Sequence, residues 1–277
     1  MAVTKQDITK AAKELGVKEG DIVLVHSSYK SLGEIDGGAE AVIQGYLDAV
    51  GEEGTLVFPC FTQKDFEKAY ETWHIDKPSD TGYLTNYFRT REGSVRSDQA
   101  THSVAACGKL AKELTKTHGH TAKRWGDMGD TPFAPDSPWE KMYNLNARVI
   151  LQGVSAKSVT FRHYAEYVYI NEVLDSIKDH PKFEEMKSKL WSFCKPGLWP
   201  HVYNEGMQER LEKLGKWKIT TCGDATLMSV SARDFVDATL EGLRNKDEEI
   251  LWNPFDVKGW LEWINEVEKL RKEKRDV

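Results

Sequence analysis

Three consecutive stretches, DIVLVHSS, GGAEAVIQGYLDAVGEEG and GTLVFPCFT, constrain this chain more than any other part of it. The first and third carry apolar runs too continuous for a strand with one wet face, so they predict strands buried on both sides. Between them, Val42, Ile43, Tyr46, Leu47 and Val50 recur at helical spacing and turn inward. Strand, helix and strand in that order form a βαβ unit, and the expected architecture follows from it. It is an α/β fold with a mostly parallel or mixed central sheet flanked by helices.

The remaining chain is read around that unit. Thr4 caps a helix to Glu14 with Ile8, Ala11, Ala12 and Leu15 on one face, and Gly16 stops it. Gln63 to Asp80 is irregular and is expected to form a loop over the site. Helical spacing resumes at Tyr83, Leu84, Tyr87 and Phe88. VAACGKLAKELTKTH reads as a helix, and Asp136 or Ser137 before Pro138 starts another. ARVILQGVS is a third apolar strand and runs straight into SVTFRHYAEYVYI. Asn171 to Trp199 is mostly helical, and KWKITTCGDATLMSVSARDFVDATLEGL gives two β segments separated at Gly223–Asp224, then a last helix. The tail KLRKEKRDV reads as a solvated helix end. With no repeat and no Gly/Ser or Pro linker, the expectation is one domain over residues 1–277 with a helical insertion at about 171–200.

Composition excludes some function classes. A 277-residue chain that is 40 % hydrophobic and 30 % charged is globular, and its formal charge of −6 argues against nonspecific binding to nucleic acid or anionic membranes. Cys60, Cys107, Cys194 and Cys222 form no CxxC pair, so neither a disulfide scaffold nor a cysteine-rich zinc site is expected. His118 and His120 lack a third ligand nearby, and no metal is expected. The polar start and the lack of an apolar run of about 18 residues predict a cytoplasmic protein. GEIDGG has the wrong spacing for a dinucleotide loop, and neither GxxxxGK[ST] nor GxSxG occurs.

Polar clusters interrupt the apolar elements at three places. His26, Ser27 and Ser28 stand where the first strand ends, where α/β sheets hold ligands; equally, the serines only shape the turn. Thr101, His102 and Ser103 precede small apolar residues. In SVTFRHYAEYVYI, Phe161, Tyr164, Ala165 and Val168 form one face, while His163 and Glu166 lie one turn apart on the neighbouring face. Spacing alone leaves a structural core histidine and a working base both open.

The stretches VHSSYKSLGEIDGGAEAVIQGYLDAVGEEGTLVFPCFT, RSDQATHSVAACG, PFAPDSPWEKMYNLNARVILQGVSAKSVTFRHYAEY and CGDATLMSVSARDFVDATLEGL, in this order, resemble the aminoglycoside 3-N-acetyltransferase family. These antibiotic acetyltransferases do not have the Gcn5-related fold. The resemblance implies acetyl-CoA as cosubstrate and an amino group of an aminoglycoside or other amino sugar as acceptor. It implies a coenzyme site in the loops of Ser27, Ser28, Ser31, Leu32 and Gly33 and of Thr101, His102, Ser103 and Val104. The family's T-x-x-H-x-x-E element falls on Thr160, His163 and Glu166. His163 is the implied general base, and its acidic partner is either Glu205, the match to a later family acid, or Glu166. Departures occur at Gln99–Ala100, where the family has His–Pro, and at Val159, where it has Asn.

A polycationic acceptor seeks carboxylates and stacking faces, and Asp76, Asp80, Tyr83 and Glu166 are the candidates. The same chemistry on a nucleotide-linked amino sugar and a non-catalytic coenzyme A-binding role are the alternatives. No nucleic acid or membrane partner is expected, and a homodimer is left open.

Overall fold

Four consecutive apolar residues, Ile22 to Val25, can all be buried only if a strand has packed layers on both faces. The computed structural model places them in that position. It describes residues 2–62, 64, 68–118, 132–193, 202–251 and 257–273. Seven strands, β1 (Ile22–Ser27), β2 (Thr55–Pro59), β3 (Val95–Arg96), β4 (Val104–Gly108), β5 (Arg148–Gln152), β6 (Lys218–Cys222) and β7 (Ala225–Ser231), form one sheet in the order β3-β4-β2-β1-β5-β7-β6. Ile22 and Leu24 enter one core cluster, Val23 and Val25 the other.

The helices divide between these two layers. On one side α1 (Lys5–Glu14) packs on α2 (Gly38–Val50) through Ile8, Ala11, Val42, Ile43 and Tyr46. The predicted cap at Thr4 is present, and the structure makes it a capping box with Asp7 as its reciprocal member. On the other side α6 (Pro138–Asn144), capped by Ser137, joins α7 (Phe161–Asp175) and α10 (Ala232–Asn245) through Trp139, Phe161, Phe235 and Val236. A short α3 (Ala69–Thr72) lies within the segment read as irregular, and α4 (Tyr83–Arg89) follows it where helical spacing resumes.

The sheet is mixed. β1 pairs in parallel with β2 and β5, and the four other pairings are antiparallel. The parallel core matches the βαβ reading, and both outer parts are hairpin-built; Gly223, at φ 55°, turns β6 into β7. The predicted helix VAACGKLAKELTKTH is corrected. Val104–Gly108 is strand β4, inserted antiparallel between β2 and β3, and only Ala111–Thr115 is helical (α5). Val104 and Ala106 face one core and Ala105 the other, a period of two that small residues hide from a helical-periodicity argument.

Beyond α7, α8 (Phe183–Phe193) lies within the segment expected to be a helical insertion, of which residues 194–200, with Cys194, lie outside the described residues. α9 (Asn204–Lys213) follows. The expected last helix is not the last one. It is followed by α11 (Val257–Glu273), whose Trp260, Trp263, Ile264 and Val267 are buried, and Trp263 Nε1 donates to the Met186 carbonyl at 2.8 Å.

Where α1 crosses α2, Gly45 lets the backbones approach. A Cβ there would lie 2.7 Å from Ile8 Cβ and 2.8 Å from the Lys5 carbonyl oxygen, while Thr9 Oγ1 donates to the Gly45 carbonyl at 2.9 Å. Gly45→Ala should therefore destabilise the protein by about 1–3 kcal/mol through overpacking, despite alanine's better helix propensity. Urea denaturation of both proteins checks this; an equal or higher midpoint for the variant would contradict the close approach.

Candidate active site

The parallel strands β1, β2 and β5 all end on one side of the sheet, and there the polar clusters meet. Their loops, α4 and the first turn of α7 enclose a cleft of about 350 Å³ whose lining includes His26, Ser27, Phe61, His102, Arg162 and His163. Ligand sites in α/β sheets lie outside the carboxyl ends of the strands, and this cleft has that position.

His163 comes from the first turn of α7, immediately after the turn that leaves β5. Its Nδ1 lies 2.8 Å from Glu166 Oε2, one helical turn on. Glu166 is buried at 2 % exposure, and its other oxygen accepts the Val202 amide at 2.6 Å. A buried carboxylate is costly unless its oxygens are engaged, and these two contacts hold it in place. The carboxylate fixes the tautomer: Nδ1–H donates to Glu166, and the Nε2 lone pair is left as an acceptor. Arg162 Nε donates to that Nε2 at 3.2 Å. Burial, and after it the Arg162 guanidinium, hold His163 well below the usual histidine range, so the ring is neutral at pH 7.

The second wall is the turn before β4. The Gln99 carboxamide oxygen accepts the Thr101 amide at 2.8 Å and the His102 amide at 2.5 Å. Gln99 thus shapes the turn from within, at a position where the family resemblance calls for His–Pro. Thr101 Oγ1 lies 2.8 Å from His102 Nδ1, and the His102 ring packs among Phe61, Phe133 and His163, with centroids 4.8, 5.1 and 5.7 Å away. His102 is also held well below its usual range, by burial first and then by His163, His118 and Arg162.

Of the residues expected in a coenzyme site, Ser27 and His102 line the cleft. Ser28, Ser31 and Gly33 lie in the loop after β1, where Ser31 Oγ donates to the Ser28 carbonyl at 2.7 Å. Leu32, Ser103 and Val104 are interior. Leu32 is core, Ser103 Oγ donates to the Cys60 carbonyl at 2.6 Å, and the Val104 amide donates to Ser97 Oγ at 2.9 Å. These three act as supports for the loops. Glu205, one of the two expected partners of His163, instead pairs with Lys157 at 2.7 Å, because α9 turns it toward the loop after β5; the Nδ1 position is taken by Glu166. Asp76 and Tyr83 are exposed, and Asp80 accepts the Lys64 amide at 2.9 Å; Thr81 and Thr85, from the same stretch, line the cleft.

Sequence reasoning did not assign Phe61, Thr81, Thr85, Phe133 or Lys157 to the site. Nothing local marks them, since they come from separate parts of the chain: Phe61 after β2, Thr81 and Thr85 at the start of α4, Phe133 before α6 and Lys157 after β5. His118 is buried: its Nδ1 lies 2.8 Å from Ser97 Oγ and its Nε2 2.8 Å from the Pro132 carbonyl. His120 lies outside the described residues. Among the described residues no group of three His, Cys, Asp or Glu side chains could hold a metal ion, and no helix is long and apolar enough to cross a membrane.

Comparison with known proteins decides the family. The sequence profile of the family described as Aminoglycoside 3-N-acetyltransferase matches residues 24–244. The chain belongs to the aminoglycoside 3-N-acetyltransferase family. It is 31 % identical over 275 residues to aminoglycoside N(3)-acetyltransferase VII of Streptomyces paromomycinus, covering 88 % of this chain and 92 % of that one. It is 33 % identical over 184 residues to aminoglycoside N(3)-acetyltransferase III of a Salmonella sp, and that match spans 60 % of each protein. The solved AAC-IIIb binary with CoASH, 16 % identical, has the same fold, with a TM-score of 0.69 over 89 % of this chain and 98 % of that one. The fold is thus that of the family and not the Gcn5-related one.

The buried histidines of this family member make its stability pH-dependent. Burial lowers His26 to about 4 and His118 to about 3. Below pH 6.5 the unfolded chain binds a proton on each ring that the folded protein does not, so stability falls as pH falls from 6.5 toward those values. The slope is about 1.4 kcal/mol per pH unit for each ring, or roughly 2 kcal/mol each between pH 7 and pH 5. Urea midpoints at the two pH values test it, and equal stability at both would refute the assignment of neutral buried rings.

Proposed function

We propose that the protein transfers the acetyl group of acetyl-CoA to an amino group of an aminoglycoside, the 3-amino group by analogy with its family, with His163 as general base. The observation that carries this reading is the His163–Glu166 pair at the mouth of a cleft, placed there by a chain that belongs to an acetyltransferase family. AAC-IIIb, of the same fold, was solved with CoASH, which supports the choice of coenzyme.

A sugar ammonium cannot attack a thioester until it loses a proton. His163 Nε2 accepts that proton, and the Nδ1–H bond to Glu166 stabilises the imidazolium that forms. The free amine then adds to the thioester carbonyl. The tetrahedral oxyanion collapses, the C–S bond breaks and the coenzyme leaves as thiolate; the second proton of the attacking nitrogen passes to that thiolate, giving the neutral amide and CoASH, and the proton held by the imidazolium is released to solvent. Hydroxyls of Ser27 and Thr160 line the cleft and are the groups we assign to the oxyanion. The pantetheine arm is assigned to Ser27, Ser28, Ser31 and Gly33, with the Thr101–His102 turn opposite. A second cavity of about 410 Å³, lined by Ser31, Gly153, Val154 and Asp224, adjoins this loop and shares Val154 with the cleft. Asp76, Asp80 and Tyr83 flank the cleft-lining threonines of the same stretch and are assigned to the acceptor.

Incubation with acetyl-CoA and a panel of aminoglycosides and nucleotide-linked amino sugars, following thiol release, tests the reading. Release with aminoglycosides is expected. Turnover of nucleotide sugars alone would move the acceptor class, and acetyl-CoA binding with no release from any amine would make the protein a coenzyme-binding module. His163→Ala should lower kcat by about 10²–10⁴-fold with acetyl-CoA affinity little changed. A near-normal kcat would remove His163 from the role of base.

A further inference from the structure

We propose that Arg162 caps the base in the empty enzyme and is released when the acceptor enters, so that it sets both the protonation of His163 and the affinity for cationic amines. This rests on the reading of His163 as general base.

The geometry is specific to two neighbouring side chains in the first turn of α7. Nδ1 of His163 is committed to Glu166 at 2.8 Å, which leaves Nε2 as the nitrogen that can receive a proton from substrate. That lone pair is occupied by the Nε–H of Arg162 at 3.2 Å. A nitrogen that accepts a guanidinium N–H in its ring plane cannot at the same time accept a proton from an ammonium, so the guanidinium has to leave before transfer. Arg162 is half-buried and lines the cleft itself, which gives it a route toward solvent.

Among the described residues, the other groups facing His163 do not duplicate this effect. From its own helix it meets the Glu166 carboxylate; from the turn before β4, the His102 ring at 5.7 Å; from the segment before α6, the uncharged Phe133 ring at 5.7 Å. Lys157, which lines the cleft from the loop after β5, has its charge paired with Glu205 at 2.7 Å. Among the described residues, Arg162 is the cation in hydrogen-bond contact with the ring. Its charge disfavours a second positive charge nearby, whether on the imidazole or on an incoming ammonium. Binding of a cationic acceptor therefore competes with the capped state, and the arriving ammonium displaces the guanidinium from Nε2.

Arg162→Gln and Arg162→Lys separate this role from a structural one. In Arg162→Gln the acid limb of the kcat/KM profile should move to higher pH, because loss of the cation raises the affinity of His163 for a proton. KM for an aminoglycoside should fall about 3- to 10-fold as the like charge is removed. Arg162→Lys keeps the charge and should keep the wild-type limb. Titration of the His163 imidazole by NMR in the ligand-free proteins needs no substrate: a higher midpoint in Arg162→Gln than in wild type and Arg162→Lys is the expected result. Equal midpoints in all three proteins would overturn the proposal. So would an Arg162→Gln variant with unchanged KM and acid limb but a kcat lowered tenfold or more, which would place the guanidinium on the oxyanion. Absence of thiol release from wild type with every amine would sink the acetyltransfer reading, a failure distinct from equal NMR midpoints.

Discussion

The parallel pairing of β1 with β2 on one side and β5 on the other is the constraint on which the site depends. Because the three strands run the same way, their carboxyl ends open together, and three loops distant in sequence reach one cleft. β1 delivers His26 and Ser27, β2 delivers Phe61, and β5 delivers the turn that starts α7. Such pairing is possible only with helices on both faces, so the burial of Ile22–Val25 and the location of the cleft have a common cause.

A second dependence is electrostatic. Glu166 is almost fully buried, and the pair of contacts to His163 and to the Val202 amide offsets the cost of removing a carboxylate from water. The same carboxylate fixes the ring tautomer, so one buried group both holds the first turn of α7 in register and determines which nitrogen faces the cleft. The neutral imidazole stands between two opposite charges, the Glu166 carboxylate on Nδ1 and the Arg162 guanidinium on Nε2.

Much of the fold was legible in the chain. The capped first helix, the βαβ unit, the strand at Arg148–Gln152 and the hairpin around Gly223 all follow from periodicity and turn chemistry. VAACG was misread because alanines carry no strong two-residue alternation; its strand identity comes from the partners on either side, β2 and β3. Small side chains there let the turn at Gln99–Ser103 pack against Trp139, whose Nε1–H reaches the His102 carbonyl at 3.2 Å.

The candidate site divides in the same way. His163 and Glu166 stand three residues apart, so helical geometry alone puts them within reach of each other, while the sequence left the choice between Glu166 and Glu205 open. What only the tertiary structure decided is that Glu166, and not Glu205, holds that ring, that Glu205 is drawn to Lys157, and that His102 and Phe133 crowd the same imidazole, with Phe61 packed on the His102 ring. Contacts within one helical turn are set by a rise and a period every helix shares. Contacts between α9, the turn before β4 and α7 are set by how the whole sheet packs its layers, and no local pattern records them.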